Sequence, residues 1–324
     1  MPGSIMQSEM AEQPARLAAL IDRADEIASL VVRPACGTTI VARGSSDHAG
    51  VYGRYLLEAA SGRPAGLAAP SLLTVYRAAV DFSGYLAIAV SQSGHTPEIV
   101  TALTRMQQAG ASGLAITNDG RSPLAEAAGA TIALGVGEER AVPATKTVTA
   151  TLAAFALVAS ALGAPLFERD ELARVPEWVA DVLDDPAPAE AIAASLVDAN
   201  RLLCVGRGLM LGAALEAALK LKETTMIAAE GFSSADLRHG PIAIVEGMPV
   251  LALLADGPTR ADMTDLVDDL RGRGADVHVL AFDVPEALAP IVAVVRAQQI
   301  ALALSRARGL DPDAPRGLNK VTAT

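Results

Sequence analysis

Aromatic residues are scarce, at 3% of 324 residues, although 51% of the chain is hydrophobic. Ala, Leu and Val therefore supply most of the apolar surface, a composition suited to helices on an aliphatic sheet and one that excludes disorder, collagen-like repeats and coiled coil. Cysteine is nearly absent. Cys36 and Cys204 are too few for a disulfide framework in a chain this long and lack metal-ligand spacing, so a reducing, cytoplasmic setting is expected. Positive charge is in deficit, with 26 Lys and Arg against 37 Asp and Glu for a net charge of −11. That balance repels phosphodiester backbones and anionic membranes, which argues against nucleic acid or a membrane as partner but allows a local phosphate pocket. Residues 1–9 carry neither a basic region nor an apolar stretch, so no signal peptide is expected. The uncharged run 147–166 has the 20-residue length of a membrane span, but it holds three Thr, a Ser, a Gly and Pro165 and draws much of its apolarity from Ala. It reads as a buried helix.

The length suits about two domains of roughly 100–200 residues each. An amphipathic lead-in places Leu17, Leu20, Ile21, Ala24 and Ile27 at helical spacing. Residues 38–42 form a β-branched run ending in Arg43-Gly44-Ser45-Ser46, a strand and then a turn, and an Ala/Leu-rich helix continues to Ser61. Further apolar strands are expected at 85–90, 113–117 and 131–134, with a polar turn at 91–96 and a helix at 97–109. The order then recurs. Strand 202–205 enters Gly206-Arg207-Gly208 and a helix over 209–229; strand 250–254 precedes a helix over 259–273, and Gly274-Ala275 leads into strand 277–280. Gly44 to Gly206 is an offset of 162 and Gly110-Ala111 to Gly274-Ala275 one of 164, which points to a duplicated α/β domain. Apolar strands separated by helices predict parallel sheets covered on both faces, hence two tandem three-layer αβα domains of the flavodoxin-like, doubly wound kind. The expected divisions are a helical lead-in over 1–35, a first domain over 36–165, a helical linker over 166–199 containing Pro176, Pro186 and Pro188, a second domain over 200–310, and a tail over 311–324.

Four constellations could carry chemistry. Ser91-Gln92-Ser93-Gly94-His95-Thr96 lies where a strand ends and a helix begins, the edge at which open α/β sheets bind ligands. Hydroxyls and a helix N-terminus suit a phosphate, while Ser and Thr followed by Pro97 equally suit helix capping. Gly44-Ser45-Ser46-Asp47-His48 presents the same pair of readings. In the helix over 209–229, Glu216, Lys220 and Glu223 share one face. That stripe is either a solvated Glu–Lys pair or, because the helix is otherwise nearly all apolar, a buried ionisable group retained for function. Burial would raise the pKa of Glu223 toward that of a working proton-transfer base. Arg238-His239-Gly240-Pro241 is a turn whose His is either a surface residue or a proton exchanger near neutrality. The tail residues Arg316 to Thr322 bring two cations to the chain end, where a frayed, solvated segment is the ordinary alternative.

Taken together, Ser91-Gln92-Ser93-Gly94-x-Thr96, Glu139-x-x-Val142-x-x-Thr145-Lys146, Glu216-x-x-Leu219-Lys220-x-Lys222-Glu223, His239-Gly240-Pro241 and Leu318-x-Lys320-Val321-Thr322 resemble the double sugar-isomerase (SIS) domain family, in family order and over nearly the whole chain. The resemblance extends to the isomerase half of glucosamine-6-phosphate synthase and to SIS-type glucosamine-6-phosphate deaminases. It implies that Ser46, Ser91, Gln92, Ser93 and Thr96 hold a sugar phosphate, that Val142 and Ala144 line the sugar, and that Arg316 belongs with them. It further implies Glu223 as the proton-transfer glutamate with Lys220 its neighbour, His239 as the ring-opening histidine, and Lys320 as the lysine near the substrate carbonyl. Lys320 would form a Schiff base as a neutral amine or stabilise oxyanions as a cation. In related enzymes the histidine reaches the partner's site, so a homodimer with shared active sites is expected.

The expected activity is conversion of glucosamine 6-phosphate to fructose 6-phosphate and ammonia, by ring opening and proton transfer between C2 and C1. The synthase tail usually carries a serine that Lys320-Val321-Thr322 lacks, which favours ammonia release, and the chain opens almost directly on the first SIS domain, so it is not expected to draw ammonia from glutamine unaided. His95 and Arg43 stand where the family usually has an acidic and a small residue. They keep open a deglycase or isomerase acting on another N-substituted or galactose-series sugar phosphate. A non-catalytic sugar-phosphate sensor is the third reading. No organic cofactor is implied, because Gly206-Arg207-Gly208 lacks a third Gly at dinucleotide spacing, and no cluster reads as a metal site.

Overall fold

Strands covered on both faces read as continuous apolar runs rather than alternating ones, and two sheets of this kind organise the chain. A computed structural model describes residues 1–163 and 165–320. The first sheet contains β1 (Gly37–Val41), β2 (Ala65–Leu67), β3 (Tyr85–Val90), β4 (Ser112–Thr117) and β5 (Ala130–Ala133), in the order β2-β1-β3-β4-β5. Every pairing is parallel. β1 is buried along its length and β3 at every residue after Tyr85, as strands between two helical layers must be.

The second sheet contains β6 (Arg201–Gly206), β7 (Ala228–Ser233), β8 (Pro249–Asp256) and β9 (Asp276–Pro285), in the order β7-β6-β8-β9, again all parallel. This is the order of the first sheet without its fifth strand. Both are doubly wound, with connections diverging between β1 and β3 in one and between β6 and β8 in the other.

The chain forms two compact units, each holding one sheet. The first-sheet unit comprises Ala15–Glu138 and Lys146–Ala173, and the second-sheet unit comprises Met1–Pro14, Glu139–Thr145 and Arg174–Lys320. In the former, helix Ser45–Ser61 packs against helix Lys146–Leu162, which is buried at nearly every position. A Cβ on Gly53 would lie 2.5 Å from the Phe155 ring, so the two helices approach this closely only because Gly53 has no side chain. The buried helix expected over 147–166 is present and ends at Leu162. Among the described residues, no helix is long and apolar enough to cross a membrane. In the second-sheet unit, helix Met210–Thr225 covers β6 and β7 and packs against helix Ala289–Ala307.

One expectation needs correction. The helix expected over 209–229 stops at Thr225, where Met226 turns left-handed at φ 60, and residues 228–233 pair with β6 as β7. A Cβ on Gly231 would lie 2.8 Å from the Leu215 backbone, so the glycine in this stretch lets a strand press against the helix. β2, only three residues long, had no distinguishing pattern in the sequence.

Candidate functional site

In the first-sheet unit, two turns flank the crevice at the carboxyl ends of β1 and β3, the switch point at which doubly wound sheets take ligands. Gly44 follows β1 at φ 58, and its carbonyl accepts the Asp47 N–H at 2.9 Å. Ser46 lies half-buried in the first turn of helix Ser45–Ser61. After β3, the Ser91 and Thr96 hydroxyl oxygens lie 3.1 Å apart, and the Gly94 N–H donates to Ser91 Oγ at 3.2 Å. The His95 N–H donates to Ser93 Oγ at 3.2 Å. Ser91 is buried, Gln92, Ser93 and Thr96 are half-buried, and His95 is exposed. Thr96 is the N-cap of helix Pro97–Gln108, yet its side chain makes no capping bond. Capping therefore does not consume that hydroxyl.

The turn is tightly supported. Gly94 sits at φ 69, and a Cβ there would lie 2.0 Å from Ser122 Oγ and 2.9 Å from Thr117 Oγ1. At the rim, exposed Arg43 pairs with Glu98 at 2.8 Å. Burial raises the Asp47 carboxyl above its ordinary pKa, partly opposed by the nearby His48 and Arg43.

The second-sheet unit carries the ionisable cluster. Helix Met210–Thr225 buries Glu216 and Lys220 among alanines and leaves Lys222 exposed. The Lys220 ammonium is fully buried, 3.3 Å from Glu216 Oε1 and 2.5 Å from Glu223 Oε2. A solvated stripe is excluded. Burial pulls the Lys220 pKa down, but Glu216, Glu223 and Glu139 more than offset it, so the amine is held above its ordinary value and stays charged. Glu223 keeps 20% of its side chain exposed. It borders a cavity of about 230 Å³ shared with Thr224, Met226, Asp311 and Arg316.

Lys320 reaches the same neighbourhood from the tail, donating to Glu139 Oε2 at 2.7 Å. Glu139 is buried and also accepts the Thr145 N–H at 3.0 Å. Val142 and Ala144 are half-buried in the segment between them. This segment and the tail are both tied to the N-terminal helix Ser4–Ala11. Glu9 accepts the Arg140 and Ala141 N–H groups, while Asp311 accepts from the Gly3 N–H and Asp313 from the Ile5 and Met6 N–H groups. Burial raises the Glu9 carboxyl above its ordinary pKa, its two backbone donors oppose that, and nearby Glu139 adds to it.

Glu223, Lys220, Glu139 and Lys320 are thus brought together, and Arg316, itself exposed, borders the cavity beside Glu223. His239 is not part of this cluster. It is exposed at the C-cap of the short helix Ser234–Arg238, where its backbone N–H donates to the Asp236 carbonyl at 3.1 Å. Val321 and Thr322 of the tail motif lie outside the described residues. Sequence reasoning missed Glu9, whose partners are 131 and 132 residues away. Within helix Ser4–Ala11, half of whose residues are polar, nothing local marked it out.

Fold and site define the class: a duplicated, doubly wound α/β protein with a hydroxyl-lined turn at one sheet edge and a buried Glu–Lys cluster below the other. The chain belongs to the SIS domain family, whose model matches residues 38–161 and 195–291. Over 339 aligned residues it is 34% identical to the glutamine–fructose-6-phosphate aminotransferase (isomerizing) of Methanothermobacter thermautotrophicus, an alignment covering 97% of this chain and 56% of that one. The chain therefore spans little more than half the length of the curated relatives it matches. A solved structure from Silicibacter pomeroyi DSS-3, provisionally assigned as a phosphosugar isomerase, is 32% identical with a TM-score of 0.86, covering 96% of this chain and all of that one. The C-terminal domain of glucosamine-fructose-6-phosphate aminotransferase from Francisella tularensis is 25% identical with a TM-score of 0.85, covering 95% and 97% of the two chains.

Proposed function

We propose that the protein is an aldose–ketose isomerase of phosphorylated amino sugars, converting glucosamine 6-phosphate and water to fructose 6-phosphate and ammonia. The observation that carries this reading is the Lys220 ammonium, fully buried between Glu216 and Glu223, because two carboxylates and a charged amine are not kept inside an alanine-rich helix without a use. Ser46, Ser91, Gln92, Ser93 and Thr96 take the sugar phosphate, supported by a helix N-terminus whose side-chain cap is unmade. Val142, Ala144 and Arg316 line the sugar.

The reaction needs a proton moved between C2 and C1 of an enolamine on one face, which a single carboxylate performs. Glu223 takes that role, with one oxygen oriented by Lys220 and part of its surface open to the cavity. Lys320, a charged donor to Glu139, stabilises an oxyanion developing at the carbonyl. Ring opening requires a proton to leave one sugar oxygen and reach another. His239 serves it in a partner's site, since its exposed position suits a second copy of the chain in a homodimer.

Glu223→Gln tests the reading. Turnover of glucosamine 6-phosphate, followed by ammonia and ketose phosphate, should fall by about 10²- to 10⁴-fold with phosphosugar affinity nearly unchanged. Equal loss of affinity and rate would contradict the role. Wild-type protein that makes neither product beside a working control deaminase would remove the substrate assignment. The exposed side chains of His95 and Arg43 at the rim of the phosphate turn support a second reading, an N-substituted or galactose-series sugar phosphate, which strict preference for glucosamine 6-phosphate in a substrate panel would exclude.

A further inference from the structure

Because the two sheets share one topology, their switch-point crevices correspond loop by loop. Gly44 after β1 and Gly208 after β6 have φ values of 58 and 57. Each offers its carbonyl to the N–H three residues on, Asp47 at 2.9 Å and Leu211 at 3.1 Å. Thr96 and Thr259 are each the N-cap of the next helix, accepting at their carbonyls the N–H groups of Ile99 and Met263, both at 3.1 Å.

What fills the crevices differs. A Cβ built on Gly44 would meet nothing within 4 Å. One built on Gly208 would lie 3.3 Å from Glu286 Oε1, and one on Gly257 would lie 2.6 Å from Glu286 Oε2. Glu286 is only 6% exposed, and its Oε2 accepts the Thr259 N–H at 3.0 Å. Its carboxylate therefore sits where a helix N-terminus at a switch point would hold an external anion. Two cations adjoin these crevice residues in sequence. Arg207 lies between Gly206 and Gly208 and pairs with Asp262 at 4.0 Å, and Arg260, the first residue of helix Arg260–Gly272, lies 3.9 Å from Asp283 through Nη1.

We infer that Glu286 is a built-in anion that closes the second crevice: each chain takes one phosphosugar, in the first-sheet turn, and the second crevice is a latent site for a phosphate-class oxyanion. The stoichiometry rests on the reading of residues 91–96 as a phosphate turn, whereas the latent site rests on Glu286 alone. A side chain at Gly208 or Gly257 would crowd Glu286, which occupies the space beside both.

Wild type, Glu286→Ala and Glu286→Gln are compared by calorimetric titration with inorganic phosphate and with glucosamine 6-phosphate. Thermal unfolding is followed in chloride and in phosphate at matched ionic strength. Wild type should bind one glucosamine 6-phosphate per chain. Glu286→Ala should melt lower than wild type in chloride, recover more than wild type in phosphate with a shift that grows logarithmically with phosphate concentration, and show an additional phosphate site. Glu286→Gln, which fills the crevice without charge, should show none. If the alanine variant does not fold in chloride, refolding yield supplies the same readout: recovery in phosphate supports the assignment, and equal yields overturn it. A phosphate shift in Glu286→Ala no larger than in wild type, or two phosphosugars per wild-type chain, would also overturn it. No phosphosugar on wild type together with a phosphate site on Glu286→Ala would instead refute the phosphate turn and leave the role of Glu286 standing.

Discussion

Replacing Lys220 by Met removes an ammonium and leaves Glu216, with 1% of its side chain exposed, as an ionised group in an apolar helix. Breaking a buried pair in this way costs about 3–5 kcal/mol, against roughly 0.3–0.5 kcal/mol for an exposed pair at the same helical spacing. At about 2–4 °C per kcal/mol for a unit of this size, the melting temperature should drop by roughly 6–20 °C. Lys220→Met combined with Glu216→Leu should recover most of the loss, because an apolar replacement of a buried ion pair is commonly neutral or stabilising. The pH dependence has a definite sign. The folded-state pKa of Lys220 is raised above its ordinary 10.5, so its contribution is fully present below that value and is lost as pH climbs through the higher folded value. Urea unfolding of wild type and both variants between neutral and alkaline pH measures all three effects. A Lys220→Met cost below ~1 kcal/mol, the scale of an exposed pair, would refute the reasoning, as would a double variant no more stable than the single one.

Gly94→Ala should both destabilise the first-sheet unit and weaken phosphosugar binding, since a Cβ would lie 2.0 Å from Ser122 Oγ at a φ of 69. Overpacking alone costs about 1–3 kcal/mol, and titration with glucosamine 6-phosphate alongside thermal unfolding reads both consequences. Unchanged affinity in a folded variant would separate the turn from the substrate. Mixing Glu223→Gln and His239→Ala chains should restore part of the activity that each lacks alone, if a dimer shares its sites. No recovery in heterodimers verified by mass would refute the sharing.

Much of the architecture was legible because it is written locally. β3 and β8 are apolar runs that remain buried from end to end apart from their terminal residues, so their positions and the parallel sheets they imply could be read from composition and period. The same holds for the N-cap at Thr96 followed by Pro97. β7 was not legible, because its Ala228-Ala229 start continues the alanine-rich pattern of the preceding helix and only pairing with β6 makes it a strand. In the candidate site, the shared face of Glu216, Lys220 and Glu223 follows from helical spacing alone, and the resemblance to the SIS family supplied their proposed roles.

The sequence by itself determined the strand and helix periods and which side chains meet one turn apart on a helix, because each depends on neighbours within a few residues, and it showed the duplication because those local patterns recur in the same order. Only the tertiary structure decided that Lys220 is wholly buried, that Lys320 reaches Glu139 across 181 residues, that Glu9 holds the loop beside it, and that Glu286 fills the second crevice. Burial and charge pairing are set by segments far apart in the chain, and a charged group costs or contributes free energy according to the dielectric and partners that those segments bring to it.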